Sequence, residues 1–322
     1  MLSTLYAAAV RRRRERYASR PELRLRLRRP VISVGNLAVG GRGKTPVTAY
    51  LARTLLEMGE RPAILSRGYG RSDRRDGVVV VRDPEAIRAD LPRAGDEPLM
   101  LARQLPGVSV LTCPDRYLAG RLAEHHLGAT VHVLDDGFQH LRLERDVDLL
   151  ILGREDVARP ITLPGGRLRE PLDTVIAVDA ILTADEDVVV DAAGEPPPLF
   201  RLRRSAPPPP PDDRAALAVA GVASPGRFFD DLRRAGWQLA ATLPFRDHHP
   251  YSARDVAAFM RRARDAGAAR IVTTEKDFVR LLRFRPFPVP IEAVPLRVEP
   301  VAGDEFRAWI AGELRAARDI HG

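Results

Sequence analysis

The sequence predicts an α/β fold: a parallel sheet of the phosphate-loop NTPase type flanked by helices, a second, smaller α/β domain, and a basic amphipathic segment at the N-terminus. Three observations predict it. An apolar run, PVISVG (30–35), leads directly into a glycine-rich loop and then into a helical pattern. Short apolar runs then alternate with helix-period segments, the pattern of parallel strands joined by crossover helices. A proline-rich stretch, SAPPPPPDD (205–213), interrupts this alternation, and the alternation resumes beyond it.

The elements follow in order. Residues 1–29 read as a separate basic arm. Within 1–30 there are ten arginines and two glutamates, a charge of +8; the whole chain is also +8, so the remainder carries 41 charges of each sign. The high net charge belongs to the arm. Its basic residues follow the apolar run of MLSTLYAAAV rather than precede it, so it does not read as a secretory signal. The run is also too short to span a bilayer, which needs roughly 20 apolar residues. An apolar tip with a basic flank suits an anionic membrane surface; a helix packed on its own domain and a nucleic-acid-binding arm are the alternatives. The single cysteine, Cys113, excludes an internal disulfide and fits a reducing, cytosolic compartment.

Residues 30–206 read as the first domain. PVTAYLARTLLEMGE (46–60) has helical spacing, PAILSRGYGR (62–71) is a strand and loop, and ATVHVLDDGFQH (129–140) and DVDLLILG (146–153) are further strands. Residues 207–213 read as an extended linker. Residues 214–322 read as the smaller domain, with ALAVAGVASPGRFFDDLRRAG as strand, loop and helix, SARDVAAFMRRARDAG as a helix and ARIVTTEKD as a strand.

The loop between the first strand and helix, AVGGRGKTP (38–46), carries the chemistry. A phosphate loop reads G-x-x-x-x-G-K-[ST] between a strand and a helix. Gly43, Lys44 and Thr45 match its end; Ala38 stands at its first glycine, with Gly40 and Gly41 inside. Backbone N–H groups of such a loop cradle phosphate oxygens at a helix N-terminus. Residues Ala38, Val39, Gly40, Gly41, Arg42, Gly43, Lys44 and Thr45 are therefore expected to cradle the phosphates of a bound nucleotide. Lys44 reaches the outer phosphates and the Thr45 hydroxyl ligates magnesium. The chain has 49 arginines and two lysines, Lys44 and Lys276, which suggests that a lysine persists where a compact point charge is needed.

Acidic partners come from several segments. Asp135 and Asp136 follow an apolar strand, and one of them is expected to hold magnesium. Asp96 and Glu97 precede a helical run, where Asp96 also fits a cap. Asp247, His248 and His249 suggest a carboxylate–imidazole pair across a domain cleft, suited to proton transfer. In LPGGRLREP (163–171), Arg167 and Arg169 suit phosphates and Glu170 suits the metal. TTEKD (273–277) offers Lys276 and Asp277, with a capped helix start as an equal reading.

Together SVGNLAVGGRGKTP, LSRGYGR, GDEP, PDR (114–116), LDDGFQH, LPGGRLREP, FRDHHPY and TTEKD resemble the tetraacyldisaccharide 4′-kinase family, in order from about residue 30 to 280. The resemblance implies ATP and magnesium, with transfer of the γ-phosphate to the 4′-hydroxyl of a lipid disaccharide 1-phosphate. It implies a peripheral monomer on the cytoplasmic face of a Gram-negative inner membrane, with no nucleic-acid partner. It implies Asp96 and His248 as the catalytic pair, and Thr45, Asp136 and Glu170 at the metal. Arg67, Tyr69, Glu97, Arg116, Asp135, Gln139, His140 and Arg169 match positions facing substrate or phosphate. Two other classes are a partner-regulated ATPase, whose loop carries a lysine where this chain has Val39, and a nucleic-acid-stimulated NTPase.

Overall fold

The computed structural model describes residues 1–40, 43–73, 77–189, 195–211 and 214–321. Helix α1 (Leu2–Ala18) is followed by strand β1 (Val31–Asn36), helix α2 (Lys44–Glu57) and strands β2 (Pro62–Ser66) and β3 (Val79–Arg82). A short helix α3 (Leu91–Ala94) leads into α4 (Asp96–Gln104), β4 (Ser109–Thr112), α5 (Arg116–His126), β5 (Val131–Asp135) and β6 (Val147–Ile151). Helix α6 (Arg154–Ala158), β7 (Ala180–Thr183) and β8 (Leu199–Ser205) complete this stretch. Beyond the prolines come β9 (Ala216–Ala220), α7 (Pro225–Arg234), β10 (Leu239–Pro244), α8 (Ala253–Asp265), β11 (Arg270–Thr274) and α9 (Glu275–Leu281). Strands β12 (Ile291–Val294) and β13 (Arg297–Pro300) and helix α10 (Gly303–His321) close the chain.

Two sheets result. The larger has the order β13-β8-β7-β6-β1-β5-β2-β4-β3, parallel except for its two outermost strands. The smaller is wholly parallel, in the order β10-β9-β11-β12. Strand β1 is central because all six of its residues are buried, as a strand covered on both faces requires. Its neighbours are β5 and β6, and the chain leaves it first in one direction and then in the other. That reversal opens a crevice beyond the carboxyl ends of β1, β5 and β6, the usual ligand position in open parallel sheets. The register sets Val34 opposite Asp135 and Asn36 opposite Ile151, so these strand ends are level. At Gly35 the loop after β5 comes so close that a Cβ would lie 2.4 Å from Phe138 Cβ, and only glycine admits that approach.

The sequence expectation differs from the structure in two places. The expected smaller domain ran to residue 322, but β13 pairs antiparallel with β8 in the larger sheet. Phe306, Ile310 and Leu314 of α10 and Val279 of α9 join that sheet's core. The physical reason is burial: Phe200 of β8 needs cover, and the Phe306 ring meets it edge-on at 5.0 Å. Of the arm, expected to be amphipathic, Leu2–Ala18 form a helix whose only buried residue is Ala7 and which polar contacts dock on the body, while Leu27 beyond it is buried in an apolar cluster. Of the proline segment, Pro207 accepts a 2.8 Å hydrogen bond from Trp237 Nε1, which ties it to the smaller unit's core; Asp212 and Asp213 lie outside the described residues.

Phe306→Ala should lower stability by about 3–5 kcal/mol, the usual cost of emptying a buried aromatic site. Urea denaturation reads this directly; an unchanged midpoint would show that α10 contributes nothing to the core of the larger sheet.

Candidate active site

The loop after β1 turns at Gly40 (φ 102°) and Gly43 (φ 79°) into the N-terminus of α2, a left-handed path that glycine supplies without strain. A second segment runs alongside it. Val39 N donates to Arg167 O at 2.8 Å, Arg169 N donates to Leu37 O at 2.6 Å, and Ala38 and Leu168 form a bridge. The LPGGRLREP motif is thus laced to the phosphate loop. Gly41 and Arg42 lie outside the described residues. Thr45 is in the first turn of α2 and half-buried.

Where β1 and β5 end, four polar side chains meet. Lys44 Nζ donates to Asn36 Oδ1 at 3.0 Å and lies 3.5 Å from Asp136 Oδ1. Arg169 Nη2 reaches Asn36 Oδ1 at 2.6 Å and Asp136 Oδ1 at 3.0 Å. Burial would raise the Asp136 carboxyl, but the charges of Lys44 and Arg169 outweigh it and hold it below the usual range. Asp135 is different. It is buried, accepts from Thr48 Oγ1 at 3.2 Å, and is pushed up to about 7 by burial and by the charges of Glu97 and Asp136. Asp136 is the exposed member of the pair, its side chain 38% accessible.

The remaining candidates line the same crevice. Gln139 Nε2 donates to Asn36 O at 3.0 Å. Arg116 is buried at the start of α5, where burial and Arg67 weigh against its charge and Asp136 and Asp135 favour it. Four buried polar atoms here have no protein partner: Asn36 Nδ2, Arg116 Nε, Gln139 Oε1 and Arg169 Nε. Three of these are donors, which suits a phosphate ligand. Glu170 is buried and its carboxylate is engaged by Arg14 of α1, whose guanidinium lies 4.3 Å over the Phe138 ring. Further bonds hold α1 in place: Tyr6 OH to Arg169 O (3.1 Å), Gly165 N to Ser3 Oγ (3.0 Å) and Arg11 Nη2 to Asp173 Oδ2 (2.6 Å). Among the described residues no cluster of three or more His, Cys, Asp or Glu side chains could hold a metal ion alone. That is compatible with magnesium, which takes one or two carboxylates and completes its shell with water and phosphate oxygens.

The second cluster joins the two sheets. Asp96 opens α4 and is buried. Its Oδ2 lies 2.9 Å from His248 Nδ1, accepts from Arg280 Nε at 3.0 Å and is also bonded by Arg280 Nη2. Its Oδ1 accepts from Glu97 N at 3.0 Å. Burial favours the neutral acid, yet the His248 hydrogen bond and the charges of Arg280 and Lys276 keep Asp96 ionised far below the usual carboxylate range. His249 is engaged elsewhere, 3.3 Å from Asp255 Oδ2. Exposed Tyr69 meets the His248 ring edge-on at 5.4 Å, and Arg67 is exposed on the same loop.

Among the described residues, the non-glycine positions with positive φ are Asp136 and His248, both at 56°. Such backbone is costly for a residue with a side chain, and it concentrates where a side chain must be aimed. Sequence reasoning passed over Arg280 and Arg14. Arg280 is one arginine among 49, and its only signal was its place three residues after Asp277, to whose Oδ1 it donates at 2.9 Å.

Burial, and then the charge of Arg116, press the His140 imidazole down to about 4, below its ordinary 6.5. It is therefore neutral in the folded protein where the unfolded chain would take up a proton. Its contribution to stability is complete above pH 6.5 and is lost as pH falls from there through 4. His140→Gln should reduce the drop in Tm between pH 7 and pH 5 by about 2–4 °C. Calorimetry at both pH values checks it, and an equal drop in variant and parent would mean that His140 protonates freely when folded.

The LpxK family model, described as tetraacyldisaccharide-1-P 4′-kinase, matches residues 1–315. A tetraacyldisaccharide 4′-kinase of Geobacter sulfurreducens is 39% identical over 316 residues, covering 93% of this chain and 88% of its own. One of Pelobacter propionicus is 42% identical over 298 residues, covering 87% and 81%. The crystal structure of the "apo" form of LpxK from Aquifex aeolicus in complex with ATP superposes with a TM-score of 0.80, at 31% identity over 97% of both chains. A match over nearly the whole length, by sequence and by fold, places this chain in the LpxK family of tetraacyldisaccharide-1-P 4′-kinases.

Proposed function

We propose that this chain transfers the γ-phosphate of ATP to the 4′-hydroxyl of a tetraacyldisaccharide 1-phosphate, giving lipid IVA in lipid A biosynthesis. The observation that carries the reading is a phosphate loop at the end of β1 facing a carboxylate–imidazole pair, Asp96 and His248, drawn from both sheets and 2.9 Å apart.

The residues divide the work as follows. Backbone N–H groups of residues 38–45 surround the phosphates, and Lys44, Arg116 and Arg169 balance their charge. Thr45, Asp136 and Glu170 would hold magnesium, which when bound neutralises charge on the β- and γ-phosphates. Glu170 takes part once Arg14 releases it. The 4′-oxygen attacks the γ-phosphorus in line, a P–O bond to that oxygen forms, and the bond to the departing ADP breaks. The hydroxyl proton passes to Asp96 Oδ1, because Oδ2 is already occupied by His248 and Arg280. The depressed Asp96 makes a weak base, but in a loose transition state the proton leaves late, and positioning with charge balance supplies most of the rate. The Glu97–Lys276 (2.8 Å) and Gln104–Glu275 contacts hold α4 against α9 and keep the pair positioned over substrate.

The acceptor's lipid chains place the work at a membrane. No helix among the described residues is long and apolar enough to cross one. Leu2 and Leu5 of α1 and Ile161 are exposed, and Ser3 is bonded to Thr162 and Gly165, which gathers these apolar tips beside the arginines of α1. We take this as the face that lies on the anionic cytoplasmic leaflet of the inner membrane, with the monomer as working unit and no nucleic-acid partner.

With γ-labelled ATP, magnesium and tetraacyldisaccharide 1-phosphate in detergent micelles, the parent should label the lipid. Lys44→Ala and Asp96→Asn should each lose at least 100-fold in kcat. Release of free phosphate without labelled lipid would overturn the acceptor, and full activity of Asp96→Asn the proton route. In sedimentation with vesicles containing anionic lipid, Leu2→Gln combined with Leu5→Gln should weaken binding by about tenfold; equal binding would move the membrane face elsewhere.

A further inference from the structure

Lys276 belongs to neither the phosphate loop nor the carboxylate–imidazole pair, yet it is one of only two lysines among 51 basic residues, and the other is Lys44. It sits in the first turn of α9 with its side chain 14% accessible. Its ammonium has three N–H donors and faces three acceptors: Glu97 Oε1 at 2.8 Å, His248 Nε2 at 3.1 Å and Asp247 Oδ1 at 3.5 Å. An arginine there would present a larger planar fork; a compact ammonium directs its donors in three dimensions.

The consequence falls on His248. An ammonium can only donate, so Nε2 beside it must accept and carries no proton. The Asp96 carboxylate 2.9 Å from Nδ1 can only accept, so the ring proton is on Nδ1. The opposite tautomer would set Nε2–H against the ammonium and the Nδ1 lone pair against a carboxylate oxygen. Its gain would be one bond from Arg280 Nη2, 3.2 Å from Nδ1, whose N–H groups already serve Asp96. An imidazolium would set two positive donors face to face at Nε2. The other groups around the ring are Asp247, 3.9 Å from Nε2, and the edge-on Tyr69; Glu97 stands behind Lys276 and Asp277 behind Arg280.

We propose that Lys276 is a positioning residue that holds His248 as the neutral Nδ1–H tautomer, so that the imidazole caps Asp96 Oδ2 and leaves Oδ1 to take the acceptor's proton. This rests on the reading of Asp96 and His248 as the pair that serves phosphoryl transfer. Burial works against the ammonium, but Glu97, Asp96 and Asp247 more than compensate, so Lys276 is charged throughout the physiological range.

The tautomer can be read without turnover. In protein labelled with ¹⁵N-histidine, with His248→Gln to assign the signals, Nε2 of His248 should show the shift of an unprotonated nitrogen at neutral pH and Nδ1 that of a protonated one. Lys276→Met removes the cation at Nε2 and leaves Asp247 unopposed beside the ring, while Arg280 still holds Asp96. Its His248 should therefore take up a proton at a pH higher by about one unit or more. The acid limb of kcat/KM for lipid phosphorylation should move up with it, while KM for ATP stays unchanged. Two results would overturn the proposal: a protonated Nε2 in the parent, or the same His248 titration in parent and variant. If Lys276→Met fails to fold, the parent's tautomer alone decides. If the parent shows the expected tautomer but phosphorylates no lipid, the activity reading fails and the tautomer assignment stands.

Discussion

Asp96 is a carboxylate at the first turn of a helix, shut away from water. A buried charge is tolerated only where fixed donors replace the solvent it has lost. Its own sheet supplies the amide of Glu97, and the other donors, from His248 and Arg280, belong to the segment after the prolines. The charge therefore binds the two sheets together, because separating them would strand it. Arg280 is anchored in turn by Asp277, which is buried and also accepts from Gly221 N at 2.8 Å and Thr274 Oγ1 at 2.7 Å. A chain of satisfied polar groups thus runs from the end of β9 through α9 to the head of α4.

The larger sheet imposes a complementary order. Parallel strands deliver their carboxyl ends to one side, and helices beginning there turn N–H groups toward the same crevice. Lys44, Asn36, Asp136 and Arg169 come from three separate segments and meet because β1 and β5 end level. Asp135 and Asp136 are adjacent in sequence but opposite in environment. One is buried against Thr48, and the other is swung out through a left-handed backbone turn toward two cations.

Much of this was legible in the residues, and the reason is local. The strand–loop–helix around residues 31–57 is written in short-range periodicity and in the glycines its turns require. The return of the chain to the larger sheet was not. The pairing of Val298 with Arg204 joins residues far apart, and no local pattern marks which sheet an edge strand will join. Of the adjacent histidines, only tertiary structure separates one facing Asp96 from one facing Asp255. Arg280 and Arg14 were hidden by abundance, whereas Lys276 stood out by rarity without showing what it touches. The docking of α1 depends on hydrogen bonds that Tyr6 and Arg11 donate and Ser3 accepts, which amphipathic patterning does not report.

That docking has a mechanical consequence. The first helix is fastened along the segment from Thr162 to Asp173, and the same segment is stitched to the phosphate loop through Arg167 and Arg169. Tilting the helix would draw Arg14 away from Glu170 and tug on the strap beside Val39. Helix α1 is therefore a handle on the nucleotide cradle, and any load that tilts it is passed to the loop that holds the phosphates.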